Sequence, residues 1–389
     1  MSYVGSVGLR KWQSGATVLL SIAVTGAACG ARTELGAPCP SAPIDPVAFP
    51  PVTFAGQATL LGWALDVTDD AAYFAASGSL TDYPSYYSRT LARAPLGGGE
   101  PEPFATDATY AEGMLAHDAS YLYFPNAAVL GPSGVYVQNV VAAPLHGGPS
   151  RTLDNPPAPS QQRWLGSIGT NGDAGVFWIV TGPGFSDGLL AHWDGTTTTT
   201  LASFPSGPST TPELTLDMAV SATQAFVLTS HALYSVPLSG GTPLELRAWP
   251  PVSPMSYAQP QIVALNDQSV FYSLDAATIV RRDIGSGDEH TIVGGLTLES
   301  LLYGSGRIGW ADSSWLYFVT GRPLGDLWTL SRVRVDGGEV EVLWDSTARP
   351  PSLAVVGDAC SIYWLTASAP TPYGNDMMNG PSILMYRRK

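Results

Sequence analysis

An aliphatic run ending in Asp or Asn, a Tyr/Phe pair a few residues on, and a closing Pro-Leu-x-Gly-Gly recur along this chain about every fifty residues. Leu65-Asp66 with Tyr73-Phe74 and Pro95-Leu96-Gly97-Gly98 is one copy. Ala116-His117-Asp118 with Tyr123-Phe124 and Pro144-Leu145-His146-Gly147-Gly148 is the next. Weaker copies centre on Phe177-Trp178, Phe226-Val227, Phe271-Tyr272, Tyr317-Phe318 and Tyr363-Trp364, so the aromatic marker advances by 50, 54, 49, 45, 46 and 46 residues. A period in this range repeats one supersecondary unit that cannot bury its apolar face alone; stacked neighbours complete the core.

Each unit divides into four short strands. In the first these are Leu61 to Val67, Ala71 to Ala75, Thr90 to Leu96 and Glu102 to Ala105. Asp69-Asp70, Asp118-Ala119 and Asn266-Asp267 suit tight turns, and the Gly-Gly pairs supply left-handed positions. The expected fold is all-β: a seven-bladed β-propeller of four-stranded antiparallel blades over residues 50–389, whose radial packing leaves only short, protected edges. The seventh unit has strands near Ser352 to Val356, Ser361 to Thr366 and Ile383 to Arg387, and lacks a fourth. Pro51-Val52-Thr53-Phe54-Ala55 is similar to the first unit's fourth strand, Pro101-Glu102-Pro103-Phe104-Ala105, and is expected to complete the last blade.

At 389 residues the chain could hold several domains, but the repeats run on without a linker, which makes one body. Hydrophobic residues at 45%, charged residues at only 13%, and 42 Gly with 33 Pro describe a folded, turn-rich β protein. The net charge of -14, with no basic cluster besides Arg387-Arg388-Lys389, excludes a nucleic-acid partner, which needs a basic face.

Arg10 and Lys11 precede an apolar run of small residues, Gly15 to Ala28, shorter than a membrane span and shaped like a secretory signal; residues 1–28 are read as a signal peptide. Gly26-Ala27-Ala28-Cys29 resembles the bacterial lipobox. That resemblance implies a diacylated Cys29, residues 29–49 as a tether and, with Gly30 following, sorting to the outer membrane; the lipid is then the protein's contact with the bilayer. Ordinary signal-peptidase cleavage is the alternative. Cys39 and Cys360 remain as a disulfide pair suited to an oxidising compartment, or as two unpaired thiols.

Ile362-Tyr363-Trp364-Leu365-Thr366, Leu316-Tyr317-Phe318-Val319-Thr320 and the Pro-Leu-x-Gly-Gly turns resemble bacterial exported propellers of the TolB-like and YWTD-like kind. The resemblance covers about residues 50 to 389. It implies architecture and names no ligand.

Signs of catalysis are sparse. Gly184-Phe185-Ser186-Asp187-Gly188 matches G-x-S-x-G, yet falls between two strands of a unit rather than at the strand-to-helix turn that activates such a serine. The histidines at 117, 146, 192, 231 and 290 occupy unlike positions in five units and suggest no metal set. Asp66, Asp118, Asp173, Asp312 and Asp358 stand at or near the first turn of their units. Calcium is the metal such acids would suit, but turn formation accounts for them and no cofactor is expected.

Loop length is more informative. The connection from second to third strand is long in the first, second and seventh units, at Ala75 to Arg89, Pro125 to Asn139 and Ala367 to Ser382, and short in the fourth and fifth. In a ring these three units are neighbours, so Tyr83, Tyr86, Tyr87, Arg89, Tyr136, Tyr373, Asn375, Asp376, Met377 and Met378 would line one crescent. Tyr and Asn make adaptable contact surfaces. The expected function is a non-enzymatic, membrane-tethered envelope scaffold, monomeric, that binds a protein, peptide or glycan there. The alternative is a propeller hydrolase, lactonase or lyase with a metal or acid/base site at the central channel.

Overall fold

The computed structural model describes residues 47–48, 53–54, 57–58, 60–77, 90–96, 101–107, 114–130, 135–153, 164–172, 175–181, 188–204, 215–250, 260–275, 277–296, 308–321, 328–346, 354–358, 360–367 and 382–388. Short strands β1 (Val47–Ala48), β2 (Thr53–Phe54) and β3 (Gln57–Ala58) precede the repeats. The first sheet holds β4 (Leu60–Val67), β5 (Ala71–Ser77), β6 (Thr90–Pro95) and β7 (Glu102–Phe104). The second holds β8 (Ala116–His117), β9 (Tyr121–Leu130), β10 (Val135–Pro144) and β11 (Arg151–Thr152). The third holds β12 (Trp164–Thr170), β13 (Val176–Thr181), β14 (Gly188–Trp193) and β15 (Thr198–Phe204). The fourth holds β16 (Thr215–Val220), β17 (Gln224–Thr229), β18 (Ala232–Pro237) and β19 (Leu244–Ala248). The fifth holds β20 (Gln261–Leu265), β21 (Ser269–Ser273), β22 (Ile279–Asp283) and β23 (Glu289–Val293). The sixth holds β24 (Gly309–Ala311), β25 (Trp315–Gly321), β26 (Trp328–Arg334) and β27 (Glu341–Ser346). The last holds β28 (Val355–Gly357), β29 (Ser361–Ala367) and β30 (Ser382–Arg388), with β1 beside β30.

The described strands thus form seven four-stranded antiparallel meanders and one two-strand ribbon, β2 with β3. Each aromatic marker of the sequence lies on the second strand of its own sheet, buried: Tyr73 and Phe74, Tyr123 and Phe124, Phe177 and Trp178, and so on to Tyr363 and Trp364. Alternation along a strand sends the two rings to opposite faces. Phe124 accordingly packs toward the first sheet and Tyr123 toward the third. Six apolar clusters fill the spaces between sheets, because one of them, around Trp328, Leu330 and Phe318, runs through both interfaces of the sixth sheet. Leu65, Ala72 and Phe74 of the first sheet pack on Ala354 and Tyr363 of the last, so the ring closes.

The closing strand differs from the expectation. Val47 and Ala48 pair with Tyr386 and Met385, whereas Thr53 and Phe54 pair with Ala58 and Gln57. A pairing between near neighbours in the chain closes with little loss of chain entropy, so Thr53 and Phe54 find their partners locally and Val47 and Ala48 complete the last sheet. The second correction concerns the connection expected over 125–139. It is strand for much of its length, since β9 and β10 stay paired from Tyr121 with Pro144 out to Leu130 with Val135.

One side chain explains the period. The turn between the first and second strands is capped by Thr68, Asp118, Ser221, Asn266, Asp312 or Asp358, with Asn171 at the same place in the third sheet. The Asp118 Oδ1 accepts from the N–H groups of Ser120 and Tyr121 at 2.7 and 2.8 Å. The Asp312 Oδ1 accepts from Ser314 and Trp315 at 2.8 and 2.7 Å, and the Asp358 Oδ1 from Cys360 and Ser361 at 2.7 and 2.6 Å. Short side-chain acceptors of this kind satisfy turn donors that no strand can reach. The Asp358 Oδ2 also accepts from the Tyr363 hydroxyl at 2.8 Å, and Asp118 does the same for Tyr123.

The Gly-Gly turns have a related task. Extra residues Leu201, Leu246, Ile292 and Leu343 bulge from the fourth strands of four sheets. Gly240 and Gly241, at φ of 83° and 138°, close the fourth sheet's next turn and set the Gly241 N–H 3.4 Å from the Leu201 carbonyl of the preceding sheet. A bulge on one sheet is thereby covered by the turn of the next.

Asp118→Ala should lose about 2 kcal/mol in denaturant unfolding, because two turn N–H groups and the Tyr123 hydroxyl lose their acceptor. Asp118→Asn, which keeps a carbonyl oxygen for the turn, should recover part of it. An alanine variant as stable as the parent would refute the capping account.

Candidate functional site

The first strands touch from β8 round to β4, and the Asp66–His117 contact joins β4 to β8, so together they surround the axis of the ring. On three of them a polar string crosses the sheets. The Asp66 Oδ2 lies 2.8 Å from the His117 Nδ1, and the Thr170 hydroxyl donates to the His117 carbonyl at 2.7 Å. The Asp66 Oδ1 accepts from the Val67 N–H at 2.9 Å, which fixes the carboxylate. Both partners reach solvent, His117 with 31% of its side chain and Asp66 with 14%. The residues before the turn caps in the fourth to seventh sheets are Val220, Leu265, Ala311 and Gly357, so the polar string is confined to one side of the ring. Deeper in, Asp217 accepts from Ser167, from Met218 N–H at 2.7 Å and from Ile262 N–H at 3.1 Å, tying the third, fourth and fifth sheets.

Farther from the axis, charges hold sheets together. Glu289 accepts from the Tyr272 hydroxyl at 2.7 Å and from Arg282 at 2.8 Å, and it also pairs with Arg247 of the fourth sheet. Burial pushes the Glu289 carboxyl up, but the bonds from Tyr272 and Arg282 and the Arg247 charge outweigh it, so it titrates below its ordinary value. Burial, then the bond to Glu289, hold the Tyr272 phenol well above its own. Arg281 bonds Ser269 at 2.8 Å and Asp283 at 2.7 Å, and reaches the Val335 carbonyl of the sixth sheet at 3.2 Å. These side chains join sheets.

The residues expected to carry function fall mostly elsewhere. Tyr83, Tyr86, Tyr87, Arg89, Tyr373, Asn375, Asp376, Met377 and Met378 lie outside the described residues, as do Cys29, Cys39, Asp173 and Ser186. Tyr136 is on β10 opposite Val129. Cys360 is in the turn between β28 and β29. His192 stacks on Phe177 at 4.4 Å, and among the described residues no three metal-ligating side chains cluster. Asp118, Asp312 and Asp358 cap turns, whereas Asp66 does not; it meets His117. Spacing did not reveal that pair: Asp66 stands two residues before its cap, opposite Tyr73, whereas His117 stands one before its own, opposite Leu122, so the two occupy different phases of adjacent repeats.

No protein-family model matches the chain, and no curated protein matches it. Solved structures do share its fold. The β-propeller domain of the Trilobed protease from Pyrococcus furiosus superposes with a TM-score of 0.55 at 10% identity, over 87% of this chain and 96% of that one. That domain has an open velcro topology, whereas here β1 pairs with β30. An acylaminoacyl peptidase in complex with Z-Gly-Gly-Phe-chloromethyl ketone gives 0.54 at 11% identity, over 85% of this chain and 51% of that one. Pyrococcus horikoshii acylaminoacyl peptidase gives 0.52 at 10%, over 85% and 52%. This chain thus spans about half the length of the peptidases it matches. Likeness at these identities is likeness of fold, and with the strand order it defines the class: an all-β propeller of four-stranded antiparallel blades.

Because the folded Glu289 titrates below its ordinary value, its contribution is present above that value and is lost as the pH falls through the folded-state value. Resistance to denaturant should therefore fall below about pH 4.5. Glu289→Gln should be less stable at pH 7 and lose less on acidification; an unchanged acid profile would remove Glu289 from the account.

Proposed function

We propose that this chain is a membrane-tethered scaffold of the bacterial cell envelope that holds a protein, peptide or glycan at the rim formed by the second-to-third strand connections of the seventh, first and second sheets. The observation that carries this reading is the β9–β10 ribbon, whose ten-residue strands compare with five-residue β21 and β22 at the same place in the fifth sheet. The three sheets are neighbours through the clusters around Phe74 and Phe124. No Asp, Glu, Lys or Arg occurs from Tyr121 to Ser150, in a chain with a net charge of -14. An uncharged projection on an acidic body suits contact with a partner.

The orientation fits a tether. Val47 pairs with Tyr386 and Ala48 with Met385, so β1 begins from the Ser361 end of the sheet, where the first turns are. A lipid on Cys29 would place the membrane on that side and the ribbon on the other. Cys360 lies in that turn, and this reading assigns it a disulfide with Cys39, eight residues ahead of Val47. Cys29→Ser should abolish palmitate labelling and release the protein from membranes; an unlabelled wild type would defeat the lipid anchor.

The decisive experiment compares wild type, a variant with residues 127–138 replaced by Asn-Gly, and a Tyr83, Tyr86 and Tyr373 triple alanine variant in pull-downs from envelope extract. Unchanged melting with loss of the same bound species is expected. Equal recovery of every species by all three would reject the scaffold. The Asp66–His117 pair favours a second reading, an acid/base hydrolase, lactonase or lyase at the channel. Turnover of a lactone or glycan panel that His117→Gln abolishes and the ribbon deletion leaves intact would decide for it.

A further inference from the structure

The outer strands of the second sheet are much shorter than the two they flank. β8 pairs with β9 only at Leu122 and Tyr123, and β11 pairs with β10 only at Val141 and Ala142. From Val140 opposite Pro125 out to Val135 opposite Leu130, the ribbon has no third strand among the described residues. Two-stranded ribbons are marginal in water, and natural sheets guard such edges with charge, proline or brevity. The β9 edge carries Pro125. The β10 edge, Val135-Tyr136-Val137-Gln138-Asn139, has neither charge nor proline and is rich in strand-forming residues.

The direction of its main-chain groups follows from one bond. The Val140 carbonyl accepts from the Leu153 N–H at 2.9 Å, on the side of β11. In an antiparallel strand, alternate residues point their N–H and C=O to the same side, so those of Gln138 and Tyr136 face the open edge while those of Val137 and Asn139 face β9. A second observation lies beside this edge. Asn139 is 8% exposed, and its Oδ1 has no hydrogen-bond partner. By the two-residue alternation its side chain shares the side of Val141, which packs toward the first sheet. A buried acceptor left without a donor is costly, and a donor from outside would satisfy it.

We infer that the β10 edge takes up an extended, uncharged peptide segment of a partner protein as an added strand, with Asn139 receiving a hydroxyl or carboxamide donor from it. This rests on the scaffold reading and names its partner. An open edge recognises main chain, which selects an extended peptide. The ribbon offers no charge to an acidic or basic ligand, and a second copy of this chain would bring a net charge of -14 against its like.

The test uses the full-length protein and a phage-displayed random dodecapeptide library, followed by titration of the selected peptides. Gln138→Pro removes an edge N–H and leaves the pairing with β9, a place where proline is tolerated. It should weaken binding by about tenfold or more, and Asn139→Ala by about fivefold, with melting unchanged in both. Leu244→Ala, an exposed position on β19 of the fourth sheet, should bind these peptides within about twofold of wild type. A measurement independent of protein folding uses the peptides themselves: N-methylation should abolish binding at alternate residues and be tolerated between them. Uniform tolerance of N-methylation, or wild-type binding by Gln138→Pro, overturns the added strand and leaves the scaffold standing. No peptide enriched on wild type over the ribbon-deleted protein, with signal only on a glycan array, or self-association that Gln138→Pro abolishes, overturns it also.

Discussion

No sheet of this protein can bury both of its faces by itself. Each second strand carries adjacent large side chains that point to opposite sides, Tyr73 and Phe74 in the first sheet and Tyr363 and Trp364 in the last, so every sheet needs a neighbour on either hand. A row of such sheets would leave two apolar faces in water. A ring leaves none, and the contact of Leu65 and Phe74 with Ala354 and Tyr363 is where the ring meets itself. The geometry of the turns, the bulges and the closing strand follows from that demand.

The interfaces are not alike. Around the sixth sheet the packing uses Trp328, Phe318, Leu330 and Trp364. Around the first it uses Ala72, Ala92, Ala94 and Ala354 on one side and Ala64, Ala71 and Ala143 on the other. Small side chains bring sheets close but bury less apolar area each. Polar links are added at one of these thinner junctions: Asp66 with His117 joins the first sheet to the second. The links of Glu289 and Arg281 join sheets farther round, where the cores are already large.

Much of this was readable from residue order. The markers at Tyr73, Tyr123, Phe177, Phe226, Phe271, Tyr317 and Tyr363 gave the second strands, because a buried strand needs its large apolar residues at fixed phase within the unit. Asp118, Asp312 and Asp358 were legible as turn residues, since the groups they cap are two and three positions away. The closing strand was misplaced onto residues 51–55, because a hydropathy match carries no information about the competing hairpin with Gln57 and Ala58. Residue order reads the β9–β10 ribbon as a loop, because no periodicity separates a strand that leaves its sheet from a long connection. Of the expected crescent, only Tyr136 falls on a described element, and its place is a strand.

By itself the amino-acid order determined the repeated unit, its four strands and the turns between them, all of which depend on residues within a few positions of one another. Only the folded ring decided which unlike units touch. It set Asp66 against His117, made Asp217 a link between three sheets, and left residues 135–139 of β10 with no third strand among the described residues. Those outcomes join residues about fifty positions apart or depend on where a neighbouring strand stops. Such relations exist only after apolar burial has pressed the sheets together and fixed their register.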